Sequence, residues 1–168
     1  MCPAVTLNRV DLKILAHLQR EGRCSNVALA DAIGLSESAC LLRTKRLQEA
    51  GVISGYGADI ALEKLGQYVI VFCEVTISSH RRQDLRKFEE VVAGHREIVD
   101  WYNVSGGYDY LLKIVAPSVS CFQSLMERLL AEDIGIKKFT SRIVLRHSSG
   151  TRQYPIGLIA SGKSRAMR

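Results

Sequence analysis

Apolar positions in the first third of the chain recur at helical spacing and are broken by small or turn-forming residues. Val10, Ile14, Leu15 and Leu18 share one helical face, with Asp11 and Lys13 between them, and Glu21-Gly22 ends the run. Ser25 caps a second helix carrying Val27, Leu29, Ala30 and Ile33, which stops at Gly34. A third helix starts after Ser36, runs to Ala50 and is closed by Gly51. Val52 to Ala58, punctuated by glycine, reads as a short hairpin. Beyond a linker the period changes. Tyr68 to Ile77 is dense in β-branched and aromatic residues and predicts a buried strand. Arg81 to Val92 is amphipathic, with Leu85, Phe88, Val91 and Val92 on one side. Ile98 to Val104 and Tyr108 to Val115 read as strands joined through Ser105-Gly106-Gly107. Val119 to Ala131 predicts a helix with a Phe122, Leu125, Met126 and Leu129 stripe, and Ile136 to Leu145 a last strand.

This order predicts an α+β chain. A helix-turn-helix domain, winged if the hairpin forms, occupies residues 1–59 and a linker residues 60–67. An antiparallel, ferredoxin-like βαββαβ domain fills 68–147, followed by a tail at 148–168. Two helices cover only one face of such a sheet. The other is expected to be apolar, with Val69, Val71 and Phe72 among its residues, and to pair with a second copy.

Composition narrows the class. With 168 residues, 47% hydrophobic and 24% charged, the chain is neither disordered nor low in complexity. No apolar run is long enough to span a bilayer, and Met1 to Arg9 lacks a signal-peptide core. Five cysteines, odd in number and without C-x-x-C spacing, fit a reducing cytoplasm rather than a disulfide framework or structural zinc. The net charge of +6 is uneven. Residues 1–59 hold seven Lys/Arg against six Asp/Glu, residues 60–147 twelve against eleven, and 148–168 four against none. Basicity is mostly a property of the tail, so charge alone does not identify a nucleic-acid partner.

The spacing in residues 26–45 does more. A helix-turn-helix needs a small residue where its helices approach (Ala30), a residue free to adopt positive φ at the turn (Gly34), and apolar inner positions (Leu29, Ile33, Leu35, Cys40). Glu37 to Ala50 is then the recognition helix. Ser36, Glu37, Ser38, Leu41, Leu42 and Lys45 are placed to reach base edges, and Arg43, Lys45 and Arg46 form a cationic cluster for phosphates. The bland alternative is a three-helix core with solvated charges, offset by Glu37 and Glu49. The turn Gly106-Gly107-Tyr108-Asp109 is the second constellation. Its backbone N–H groups could hold a carboxylate, Asp109 an ammonium group, and Tyr108 could supply a wall. Equally, Asp109 could simply satisfy nearby backbone N–H groups in a hairpin. His17, His80, His95 and His147 are scattered and read as lone surface residues, and Cys24, beside Arg23, is the best candidate for a redox-sensing thiol. No phosphate loop, nucleophile elbow or His-Glu-x-x-His occurs, so neither enzyme activity, metal nor cofactor is expected.

The segments Asp11-Leu12-Lys13-Ile14-Leu15, Gly22-Arg23-Cys24-Ser25, Gly34-Leu35-Ser36-Glu37-Ser38-Ala39-Cys40, Lys45-Arg46-Leu47 and Gly51-Val52-Ile53 resemble the DNA-binding half of Lrp/AsnC transcriptional regulators. Phe72-Cys73-Glu74-Val75 and Val104 to Lys113 resemble that family's amino-acid-responsive domain, and the likeness runs over residues 7–147 without the tail. Leu42 stands where the family often has arginine, Thr44 where it has an apolar residue, Glu37 where it has proline and Gln48 where it has an acid. The resemblance implies a sequence-specific regulator that binds operator DNA and responds to a small effector, an amino acid, as a homodimer or larger oligomer. It makes the glycine turn an effector site, completed by Thr140 and Ser141. Two other functions share the frame: a DNA-organising protein of low specificity, and an enzyme resembling siroheme decarboxylases.

Overall fold

The computed structural model describes residues 6–146 and 153–161, in two units: residues up to 60 with 153–161, and residues 61–146. In the first unit each helix begins where a side-chain oxygen captures a free backbone N–H. Helix α1 (Arg9–Glu21) starts at Asn8, whose Oδ1 accepts from the N–H groups of Val10 and Asp11. Ser25 caps α2 (Asn26–Ile33) through the Ala28 N–H, and Ser36 caps α3 (Glu37–Glu49) through the Ala39 N–H. The Ser25 and Ser36 starts are legible in sequence because each cap bond spans only three residues. Gly34, at φ 76°, turns the chain between α2 and α3 in the left-handed region. The Asn26 side-chain amide donates to the Glu37 carbonyl at 2.9 Å and pins the two helices across that turn. Ile14, Leu29, Ala30, Cys40 and Leu47 are buried between the helices.

One expectation is corrected in this unit. Val52 to Ala58 is not a hairpin: the Val52 and Ile53 N–H groups go to the Leu47 carbonyl, so this stretch finishes α3 instead of pairing with a strand. The described part of the tail belongs to this unit. A short helix α6 (Ile156–Ala160) packs on α1, and Gln19 exchanges two hydrogen bonds with the Tyr154 backbone, 2.9 and 3.0 Å.

The second unit runs β1 (Val69–Ile77), α4 (Arg82–Ala93), β2 (Ile98–Asn103), β3 (Tyr110–Ala116), α5 (Val119–Ala131) and β4 (Ile136–Ile143). Its strands lie in the order β2-β3-β1-β4, all antiparallel, as the ferredoxin-like pattern requires. Alternation sorts β1 between two faces. Val71, Cys73, Val75 and Ile77 are buried with Tyr110, Leu112 and Ile114 beneath Phe88, Val92, Phe122, Leu125 and Leu129 of the helices. Val69 and Val71 therefore belong to the helix-covered core, not to the open face. Phe72, with Leu111 and Val115 of β3, does lie on the open face, around an ion pair between Glu74 and Arg142 at 2.8 Å.

The buried charged residue of the helix unit is Asp11, with no exposed surface. Its carboxylate accepts from the Asn8 N–H, completing a capping box, and from the guanidinium groups of Arg43, at 3.1 Å, and Arg46. Burial alone would raise its pKa. The Asn8 N–H and the two arginines more than offset that and hold it below the usual 3.8. Replacing Arg43 and Arg46 together by alanine would strand a buried carboxylate and is expected to cost about 3 kcal/mol or more. Asp11→Asn should cost less, because both arginines reach water. Folding depresses this pKa, so the stabilisation is complete above the ordinary carboxylate value and is lost as pH falls through the folded one. In denaturant titrations the gap between the parent and the double-arginine variant should therefore narrow below about pH 4. A gap that stays constant with pH would remove Asp11 from this role.

Candidate DNA-reading helix and effector loop

With Cys40 and Leu47 buried, helical spacing turns Ser38, Leu41, Leu42 and Lys45 outward as one continuous stripe. Leu41 is 57% exposed and Leu42 71%, values that no packing requirement of the unit explains. Thr44 is half-buried and returns its hydroxyl to the Cys40 carbonyl, so it stays out of the stripe. Ser36 is spent on the helix cap, and Glu37 is exposed in the first turn, where a carboxylate complements the positive helix end. Lys45 projects into solvent, with Glu49 at 3.9 Å.

The expected cationic cluster is not intact. Of Arg43, Lys45 and Arg46, the two arginines bridge back to Asp11 on α1, which leaves Lys45 as the outward cation of the stripe. Sequence separations of 32 and 35 residues hid this pairing.

In the sheet unit, Gly106 and Gly107 are exposed in the loop between β2 and β3. The loop is closed by the Val104 N–H on the Asp109 carbonyl, which the Asn103 amide also reaches. Gly106 has φ 134°, which a side chain would disfavour. Asp109 is already engaged: Oδ2 accepts from the Ile77 N–H at 2.8 Å, and Oδ1 lies 2.7 Å from His80 Nε2. The Ile77 N–H, then His80, holds its pKa below the usual carboxylate value. Tyr108 is half-buried near Arg142. Thr140 stands opposite Glu74 on the open face, but Ser141 stands opposite Cys73 and so takes the other face. The six loop and strand residues thus do not converge on one side of the sheet. His80, Glu74 and Arg142 are the neighbours that sequence reading missed, since each meets its partner only through the fold.

The remaining reactive side chains have ordinary roles here. Burial raises the Cys40 thiol and pushes Cys73 up to about 12, while Cys24 is half-buried and Cys121 exposed. His17 lies near Arg20 and His95 near Glu132; His147 and Cys2 fall outside the described residues. Among the described residues no group of three or more potential ligands could hold a metal ion, and no helix is long and apolar enough to cross a membrane.

Comparison with known proteins agrees with both units. Residues 7–54 match the winged helix-turn-helix DNA-binding model and residues 70–154 the Lrp/AsnC ligand binding domain. The chain is 38% identical over 140 residues to the transcriptional regulatory protein DoeX of Halomonas elongata, covering 83% of this chain and 89% of that one. It is 35% identical over 143 residues to the leucine-responsive regulatory protein of Escherichia coli, covering 85% and 87%. An AsnC family transcriptional regulator from Agrobacterium tumefaciens superposes with a TM-score of 0.83 at 31% identity, over 91% of this chain and 99% of that one. A transcriptional regulator of Neisseria meningitidis, solved as an L-Met complex, gives 0.82 at 29% identity, over 92% and 99%. A helix-turn-helix followed by a ligand-binding sheet domain, matched over both halves in order, places this chain in the Lrp/AsnC family of DNA-binding transcriptional regulators.

Proposed function

We propose that this protein is a sequence-specific regulator whose DNA binding responds to an amino acid. The observation that carries the DNA reading is the outward stripe of α3, whose leucines are exposed without a packing reason while its opposite side is locked to α1. Apolar side chains at Leu41 and Leu42 suit contact with thymine methyl groups, and Ser38 can donate to or accept from either base type. Substituting Ser38 or Leu42 should change which sequences a random-duplex selection recovers. Lys45→Ala should preserve the preference and lower the salt slope by about one unit. Selections from the parent and from the Leu42 variant that recover the same sequences would defeat this assignment, as would a footprint that spreads over any sequence.

The amino-acid reading draws support from the L-Met complex of the Neisseria meningitidis protein and from the name of the leucine-responsive relative. In it, the effector carboxylate meets backbone N–H groups at Gly106 and Gly107, and its ammonium pairs with Asp109. A carboxylate has about four lone-pair sites, and Ile77 and His80 occupy two, so Asp109 retains capacity for a third partner. Tyr108 and Thr140 complete the wall, while Ser141 is left out by its direction. A thermal-shift screen against the twenty amino acids identifies the effector through the rise in melting temperature. Asp109→Asn keeps an acceptor for Ile77 and removes the charge, so effector affinity should fall tenfold or more, in line with ~1.5–3 kcal/mol for a charge-assisted bond. Unchanged affinity in that variant would return the turn to a structural role.

Assembly follows from the open sheet face. Phe72, Leu111 and Val115 around the Glu74–Arg142 pair form a surface that a second copy of this chain would cover. Sedimentation should give a dimer or larger species, and Phe72→Glu should dissociate it with secondary structure retained. A folded 18.7 kDa monomer from the unmodified chain would refute this.

A further inference from the structure

Helix α4 has almost balanced charges in sequence: Arg81 before it, then Arg82, Arg86 and Lys87, against Asp84, Glu89 and Glu90. The fold separates them. Asp84 and Glu89 are half-buried, the first accepting from the Ser79 hydroxyl and the second from the Tyr110 hydroxyl at 2.6 Å. The four cations are all exposed and, with Gln83 and Glu90, line a shallow groove of about 660 Å³. Among the described residues no carboxylate pairs with Arg81, Arg82 or Arg86, and Lys87 donates only to the Asp133 carbonyl. Arg81 and Arg82 stand at the helix start, where a cation opposes the positive helix end and Asp84 is the acid that suits it.

The helix-turn-helix unit shows the complementary shortage. Residues 1–59 carry seven cations against six acids, and the two arginines of α3 are committed to Asp11. DNA affinity rests largely on phosphate neutralisation, for which this unit offers Lys45 on the stripe and, elsewhere on its surface, the exposed Arg9, Lys13 and Arg23. We propose that the outward face of α4, formed by Arg81, Arg82, Arg86 and Lys87, is a second DNA-contacting surface that takes backbone phosphates without reading sequence. Arg82 and Arg86 lie one turn apart, about 6 Å along the axis, and present two guanidinium forks on the same side. The partner is a polyanion with repeated phosphates. An acidic protein surface would be the competing occupant, but this chain already brings DNA to itself. The proposal rests on the DNA-binding reading above and needs no operator to be known.

The test uses the full chain with Arg82→Gln and Arg86→Gln combined, which keeps side-chain length and removes two charges from an exposed face. Binding to a long random-sequence duplex is followed against salt. The log–log slope should fall by roughly 0.9 per lost contact, so by roughly 2 for the pair. Sequence preference from the random-duplex selection and the melting temperature should stay as in the parent. An unchanged slope overturns the proposal, and loss of poly-glutamate binding with an unchanged slope reassigns the face to an acidic protein. A changed preference would instead place α4 among the reading elements and also overturn it. If the parent shows no preference at all, the α3 reading fails while the slope comparison still decides the role of α4.

Discussion

A carboxylate with no exposed surface is tolerable only if every charge-stabilising partner is in place, and the helix unit is arranged around that demand. Asp11 closes the start of α1 and receives two guanidinium groups from α3, so one side chain fixes both the first helix and the presentation of the third. Its neighbours cannot be varied independently. The same contacts orient α3: with Arg43 and Arg46 bridged to Asp11, Ser38, Leu41, Leu42 and Lys45 face outward.

That arrangement has an electrostatic consequence. Two of the three cations of α3 pair with a buried carboxylate, so the helix carries less free charge than its sequence implies. In the sheet unit the division runs the other way, with acids of α4 turned toward Ser79 and Tyr110 and its cations left in solvent. The buried hydroxyl of Tyr110, its pKa pushed up to about 12 by burial and by Glu89, shows how firmly that acid is held.

The sheet's two faces differ for a simpler reason. Strand alternation gives α4 and α5 a dry surface to cover and leaves Phe72, Leu111 and Val115 on the opposite side. The turn at the end of this sheet is held by Asp109, which replaces a ladder partner for Ile77.

The sequence by itself determined whatever depends on near neighbours. The caps at Ser25 and Ser36, the turn at Gly34, the 13-residue span of α5 and the strand-helix order of the second unit were all readable, because propensity, capping and periodicity act within a few residues. Tertiary structure alone decided which charges are free and which faces residues share. Arg43 and Arg46 read from sequence as phosphate ligands, and the fold pairs both with Asp11. Val71 looked available for an interface until the helices covered it, and Thr140 and Ser141, adjacent in sequence, were separated by the pleat. Charge state and burial depend on partners that lie tens of residues away, and no local pattern encodes where those partners will be.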